Sequence, residues 1–255
     1  MRYDSHIHTL MSTDGKTEIN EAARMALERG VGIVITDHMD WDLPLPFPAF
    51  RVDLDAYWEK YGGLRNDRLL IGIELGMTEN SAAKNASIIR ENDFDFVLGS
   101  LHVLHGEDIG GGKDLFQAMG DERVFGDYLE TGAQLVQDLN IDAFGHIDYP
   151  LRYMEKELFY QDFKERFDAL LAALTRRGIC LELNTVRLGR GRAAYDNLLE
   201  IYRAYKKLGG KYVTLGSDSH TPNAVARNFD LADNFLKETG LIPVHFKKRR
   251  MVVDD

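Results

Sequence analysis

The residues best equipped for chemistry are six histidines and two carboxylates, each placed at or just past the end of an apolar, strand-like run. His6 and His8 close the first run in Asp4-Ser5-His6-Ile7-His8-Thr9, and His38 closes the second in Thr36-Asp37-His38. Glu74 ends the third, His102 follows the fourth, and His146 ends the fifth in Gly145-His146-Ile147-Asp148. Asp218 and His220 end the seventh in Gly216-Ser217-Asp218-Ser219-His220. Alternate residues of an extended segment share a face, so His6 and His8 point the same way, as do Asp218 and His220. Imidazole nitrogen and carboxylate oxygen without thiolate suit zinc, manganese or ferrous iron. Eight such donors exceed what one tetrahedral ion takes, so two or three ions are expected. One strand-end histidine alone would be an ordinary polar rim residue. Five strand ends contributing in register point to a metal site.

Such donors need a scaffold that gathers strand ends. Candidate strands fall at 2–6, 32–36, 69–74, 94–100, 141–146, 179–184 and 212–217. Amphipathic helices lie between most of them, for example at 18–29, 163–177 and 195–208. In the first helix Thr17 is the expected cap, Ile19, Ala22, Ala23, Ala26 and Leu27 the apolar stripe, and Gly30 the left-handed stop. Strands alternating with helices predict parallel pairing with helices outside, an α/β chain closed as a (β/α) barrel of seven or eight strands. All strand C-termini of such a barrel meet on one face, where its enzyme sites lie. The proline-rich stretch 42–48 reads as a loop after the second strand.

Composition narrows the function classes. The 255 residues are expected to form a single domain, with 31 basic against 41 acidic side chains and a net charge of −10. That balance gives no field for gathering polyanions, so nucleic acid is an unexpected partner and a small phosphate ester a compatible one. The lone Cys180 excludes a disulfide framework and reads as a buried, inert thiol. No signal peptide and no run of roughly 20 apolar residues is visible, so a cytoplasmic location is expected and a membrane is not.

Together, His6-Ile7-His8, Thr36-Asp37-His38, Glu74, His102, Gly145-His146-Ile147-Asp148 and Gly216-Ser217-Asp218-Ser219-His220 resemble the polymerase and histidinol phosphatase (PHP) superfamily. Within it the chain is similar to stand-alone histidinol-phosphate phosphatases of histidine biosynthesis. Ser12-Thr13-Asp14-Gly15, Asp95–His102, 181–185 and 209–218 carry that likeness. The resemblance implies a distorted (β/α)7 barrel with a trinuclear centre. His6, His8, Glu74 and Asp218 would hold a first ion, and Glu74 would bridge to a second completed by His102 and His146. His38 and His220 would hold the third; Asp14 stands where some members place a further histidine ligand to it. Asp37 and Asp148 are expected behind the ligands, orienting imidazoles.

Closely spaced cations make a bridging hydroxide available near neutral pH and screen phosphate charge, so in-line attack on phosphorus would expel the alcohol. Glu74, Asp218 and His220 are the expected catalytic residues, with Asp218 a candidate acid for the leaving group. Arginine matches phosphate bidentately. Arg152 after the fifth strand, with Arg190, Arg187 and then Arg192 after the sixth, are the expected phosphate-binding residues. Glu107 or Asp108 would receive the amine and imidazole of a histidinol leaving group. His245 is expected to be structural, and His105 to serve its loop. Competing readings are a PHP enzyme acting on nucleotides, an amidohydrolase-like barrel, for which no strand-end lysine is evident, and a metal-stabilised binding module.

Overall fold

A computed structural model describes residues 1–45, 49–111 and 113–254, so part of the proline-rich stretch, 46–48, lies outside the described residues. Residues 42–45 form no helix or strand. The strands are β1 (Tyr3–Ile7), β2 (Gly32–Ile35), β3 (His38–Met39), β4 (Leu69–Gly76), β5 (Phe96–Ser100), β6 (Val103–Leu104), β7 (Glu107–Asp108), β8 (Ala143–Phe144), β9 (Cys180–Asn184), β10 (Tyr212–Gly216), β11 (Ile242–Lys247) and β12 (Arg250–Val253). The helices are α1 (Ile19–Glu28), α2 (Leu54–Tyr61), α3 (Ala82–Glu91), α4 (Lys113–Met119), α5 (Asp121–Leu135), α6 (Lys164–Arg177), α7 (Arg192–Lys207) and α8 (Phe229–Thr239).

All seven expected strands are present and pair in parallel in the order β1-β2-β4-β5-β8-β9-β10. Both faces of such a sheet are covered, which is why Ile33-Val34-Ile35 and Leu69-Leu70-Ile71 are apolar without interruption. Alternation still sorts them: Ile33, Ile35, Ile71 and Ile73 join the larger apolar cluster, whereas Val34 and Leu70 join a second, smaller one. No ladder runs between β1 and β10, yet their C-terminal ends meet. The His8 N–H bonds the Ser219 carbonyl at 2.8 Å, and the Ser219 N–H bonds the His6 carbonyl at 3.2 Å. The result is a seven-stranded barrel, distorted where its first and last strands join.

The short strands β3, β6 and β7 were not legible in the sequence, nor was the C-terminal hairpin. β11 adds to β10 in parallel and turns back through β12, and its Val244 and Phe246 fill the smaller cluster with Tyr3, Phe96 and Cys180. His245 stacks on Tyr3 at 3.8 Å between ring centroids, and its Nδ1 lies 2.6 Å from Asp254, which also accepts the Tyr3 N–H. His245 is therefore structural, as expected. Burial pushes the Cys180 thiol up to about 12, so it is not a thiolate near neutral pH. Cys180→Ser and His245→Ala should leave turnover within a few-fold of the parent. His245→Ala should cost about 1–3 kcal/mol of stability, the scale of a buried charged hydrogen bond. Metal loss on either change, measured by elemental analysis, would misplace the site.

The first helix departs from its sequence reading. Thr17 does not cap it: its hydroxyl is buried without a partner, and Glu18 stands at the N-cap. Ile19, Ala22 and Ala26 are buried, but Leu27 is 64% exposed because it falls off the inward stripe. Gly30 adopts φ +69° and ends the helix as expected. Helix α7 begins at Arg192, earlier than expected, because Gly191 at φ +105° turns the chain there.

Candidate metal centre

The parallel register sets the donors side by side. His38 on β3 pairs with Glu74 on β4, and β1 carries its register shift between Asp4 and Ile7, just where His6 leaves the ladder. His146 and Asp218 sit just past β8 and β10 at φ +22° and +50°, sparsely populated backbone for non-glycine residues and of the kind that collects at functional sites. All eight donors converge. Glu74 Oε1 lies 3.1 Å from His146 Nε2, 3.3 Å from His6 Nε2 and 3.4 Å from His102 Nε2, while its Oε2 lies 2.9 Å from His38 Nδ1. Asp218 Oδ1 lies 3.5 Å from Nε2 of both His6 and His8. Asp14 Oδ2 lies 2.9 Å from His220 Nε2 and 3.8 Å from His38 Nε2. His38 thus stands between Glu74 and the Asp14–His220 pair.

Several of these approaches are hydrogen bonds in distance but not in chemistry. His6 Nε2 faces His8 Nε2 at 3.1 Å, and His102 Nε2 faces His146 Nε2 at 3.4 Å. Paired ring nitrogens aimed at a common point are the donor spacing expected around a cation bound at ~2.0–2.1 Å. Glu74 Oε2 and His38 Nδ1 are both buried without an aligned hydrogen bond despite their proximity. Donor groups of this chemistry lie close together as His6/His8/Glu74, His6/His146/Asp218, His38/Glu74/His102 and His8/Asp14/His38/His220. The residues fit several divalent ions.

Electrostatics agree. Burial pushes the Glu74 carboxyl up, but His6, His38 and His102 outweigh it and hold the group well below the ordinary carboxylate range. Burial beside His38 and His220 takes His8 down to about 3, so its nitrogen is free to ligate. Burial also opposes charge on His6 and His102, yet the carboxylates around each prevail and hold both well above the usual imidazole range. Loading the site with metal must displace those protons. Asp218 is buried too, but His6 and Arg152 keep it well below its ordinary value. The anionic form this favours suits a metal ligand.

The carboxylates behind the imidazoles are not both those expected. Asp37 reaches His8 only through Ser12, whose hydroxyl bonds Asp37 at 2.8 Å and lies 3.2 Å from His8 Nδ1. Asp148 meets no imidazole and instead pairs with Arg187 at 2.8 Å. The direct partners are Asp40, 2.8 Å from His102 Nδ1, and Glu182, 2.6 Å from His6 Nδ1. Sequence reasoning missed both, although Leu181-Glu182-Leu183 shows an acid inside an apolar strand, which burial makes costly without a partner.

A cleft of about 370 Å³ opens over the donors, lined also by Phe50, Asp108, Tyr149, Arg152 and Tyr153. Arg152 is the arginine that reaches it. Its Nη1 lies 2.6 Å from Asp218 Oδ2, whereas its Nε and Nη2 are buried with no partner, and its guanidinium sits 5.3 Å from the Tyr149 ring centroid. The other arginines are elsewhere. Arg187 is buried away from the cleft between Asp148, Glu157 and the Leu151 carbonyl. Arg190 is exposed and does not line the cleft, and Arg192 is on α7 paired with Asp196. Expectation placed all three in one phosphate-gathering loop; the tight turn at 187–189 and the early start of α7 separate them. Asp108 lines the cleft and Glu107 does not. His105 holds its loop to α5 through Asp127 at 2.9 Å.

The family model of the PHP domain matches residues 4–186, well over half of the chain. The chain belongs to the PHP domain family. Among PHP relatives, a Clostridium acetobutylicum protein named "Probable histidinol-phosphatase" is 37% identical over 98% of this chain and 99% of its own length. A Lactococcus lactis histidinol phosphate phosphatase, crystallised with zinc, L-histidinol and phosphate, superposes with TM-score 0.88 at 26% identity, covering 98% of both chains. A Listeria monocytogenes structure, 20% identical, shares the fold with TM-score 0.75 over 90% of this chain and 99% of its own. Among the described residues no helix is long and apolar enough to cross a membrane.

Proposed function

We propose that the chain is a metal-dependent phosphomonoesterase that hydrolyses L-histidinol phosphate to histidinol and inorganic phosphate. The observation that carries this reading is the convergence of eight nitrogen and oxygen donors, among them five imidazoles within 3.5 Å of Glu74, beside an arginine with two unpartnered nitrogens. Resemblance to the histidinol-phosphatases along nearly the whole chain supports the substrate. His6, His8, Glu74 and Asp218 would hold one divalent ion, Glu74 with His102 and His146 a second, and His38, His220 and Asp14 a third. When bound, the ions supply an activated water nucleophile and neutralise the phosphate charge. Arg152 lines the cleft and brings its positive charge to the phosphate oxygens, and its bond to Asp218 fixes the guanidinium plane. Burial excludes bulk water from Glu74 and the imidazoles, so their charges act in a medium that screens them weakly. Asp108 faces the cleft with a carboxylate suited to the leaving group's ammonium. The reading implies a cytoplasmic enzyme with a small-molecule substrate and no nucleic-acid partner.

Arg152→Ala tests the phosphate grip. Catalytic efficiency should fall by about 1.5–3 kcal/mol, roughly 10- to 150-fold, the range of a hydrogen bond to a charged group. Competitive inhibition by inorganic phosphate should weaken in proportion, and metal content should stay level. Arg190→Ala, in contrast, should leave both unchanged. Equal kinetics in parent and Arg152→Ala would place the phosphate grip elsewhere.

A further inference from the structure

Glu182 lies in the middle of β9, 1% exposed, with both carboxylate oxygens engaged by different parts of the centre. Oε1 accepts from His6 Nδ1 at 2.6 Å, and Oε2 accepts the main-chain N–H of His146 at 2.7 Å, with the Asn184 amide at 3.3 Å. These two partners belong to different strands: His6 closes β1 and His146 follows β8. The His146 N–H belongs to a residue at φ +22°, so the bond pins strained backbone that also aims a ring at Glu74. Space for the carboxylate comes from Gly216 on the neighbouring β10, where a Cβ would fall 2.1 Å from Glu182 Oε1 and 2.7 Å from the His6 Cβ. The Tyr202 hydroxyl bonds the Glu182 carbonyl and holds the strand from the outer side. Both oxygens of Glu182 are thus committed to donors of the protein.

From this geometry we infer that Glu182 is a positioning residue that fixes the distance between two neighbouring ion sites, by holding the His6 ring with one oxygen and the His146 backbone with the other. The inference rests on the metal reading above. An imidazole ligand whose far nitrogen donates to a carboxylate is locked in one tautomer and one orientation, and loss of such a partner weakens metal binding by roughly 10–100-fold. Glutamine in this place keeps the volume but presents one acceptor where two are needed, so one of the two N–H groups meets an NH₂.

The test is zinc affinity, by competition with a chromophoric chelator, together with thermal unfolding of the ion-free protein. Glu182→Gln should bind zinc 10–100-fold more weakly and melt, ion-free, within a few degrees of the parent. Glu182→Asp, which keeps the charge but shortens the reach to one partner, should fall between. A parent that binds zinc and a Glu182→Gln variant that binds it equally well would overturn the inference alone. A parent that binds no zinc would overturn the metal reading, and the inference with it. An ion-free melting point lowered by the substitution as far as the zinc-loaded one would also overturn it, because that marks a structural role. Should Glu182→Gln not fold, imidazole nitrogen NMR of the zinc-loaded parent decides: a proton on His6 Nδ1, slow to exchange, supports the inference, and a bare Nδ1 overturns it.

Discussion

Glu74→Gln should leave a folded protein with turnover reduced about 10³-fold or more, beyond the ~10–100-fold typical of residues that act behind a ligand. The carboxylate touches four imidazoles through its two oxygens within 3.4 Å, and Ser100 steadies it at 2.6 Å. An amide is neutral, offers one oxygen, and turns an NH₂ toward rings that are themselves positioned to donate electron pairs to a cation. The two ions proposed to share Glu74 should therefore be held less tightly and at altered spacing. The fold should survive, since removing a buried anion among histidines leaves the barrel core intact. Turnover, elemental analysis of bound metal and thermal unfolding are measured on one preparation. Near-normal turnover with full metal content would remove Glu74 from the shared position.

The second large effect is on stability rather than chemistry. Arg187→Ala should cost about 3–5 kcal/mol, the range for removing one partner of a buried ion pair. Arg187 is 3% exposed and faces Asp148, itself 3% exposed, while its other nitrogens hold Glu157 and the Leu151 carbonyl. Without the guanidinium, buried Asp148 loses its direct partner and keeps only the more indirect influence of Arg152, and the turn carrying Arg152 loses its tie to the loop after β9. The midpoint of thermal unfolding should drop by roughly 10 °C for a chain of this size. Turnover per folded molecule, measured well below that midpoint, should change less than in Arg152→Ala. A melting point equal to the parent's, with phosphate binding lost, would return Arg187 to the substrate-binding role that its sequence position suggested.

Strand positions were legible because a parallel sheet needs continuous apolar runs, and the eight donors were legible because they follow those runs. What the sequence could not carry was side-chain direction beyond the strand ends. Arg152, Arg187, Arg190 and Arg192 look alike in the chain, and three of them part company through a short turn and a helix that starts early. Asp148 follows a histidine just as Asp37 precedes one, but the nearest buried cation claims it before any imidazole does. Asp40 and Glu182 were hidden for the opposite reason: their partners are 62 and 176 residues away along the chain. The C-terminal hairpin escaped notice because Ile242–Lys247 mixes exposed and buried positions, and Pro243 and His245 interrupt its apolar residues.

Phosphate release from L-histidinol phosphate, beside nucleotides and sugar phosphates, measured before and after removal of metal with a chelator, decides whether the chain is a metal-dependent histidinol-phosphatase. Turnover of histidinol phosphate should be well above that of the other esters, vanish on chelation, and return when zinc, manganese or ferrous ions are restored. Turnover that persists after complete removal of metal, or a metal-loaded protein that leaves histidinol phosphate intact, would contradict that reading.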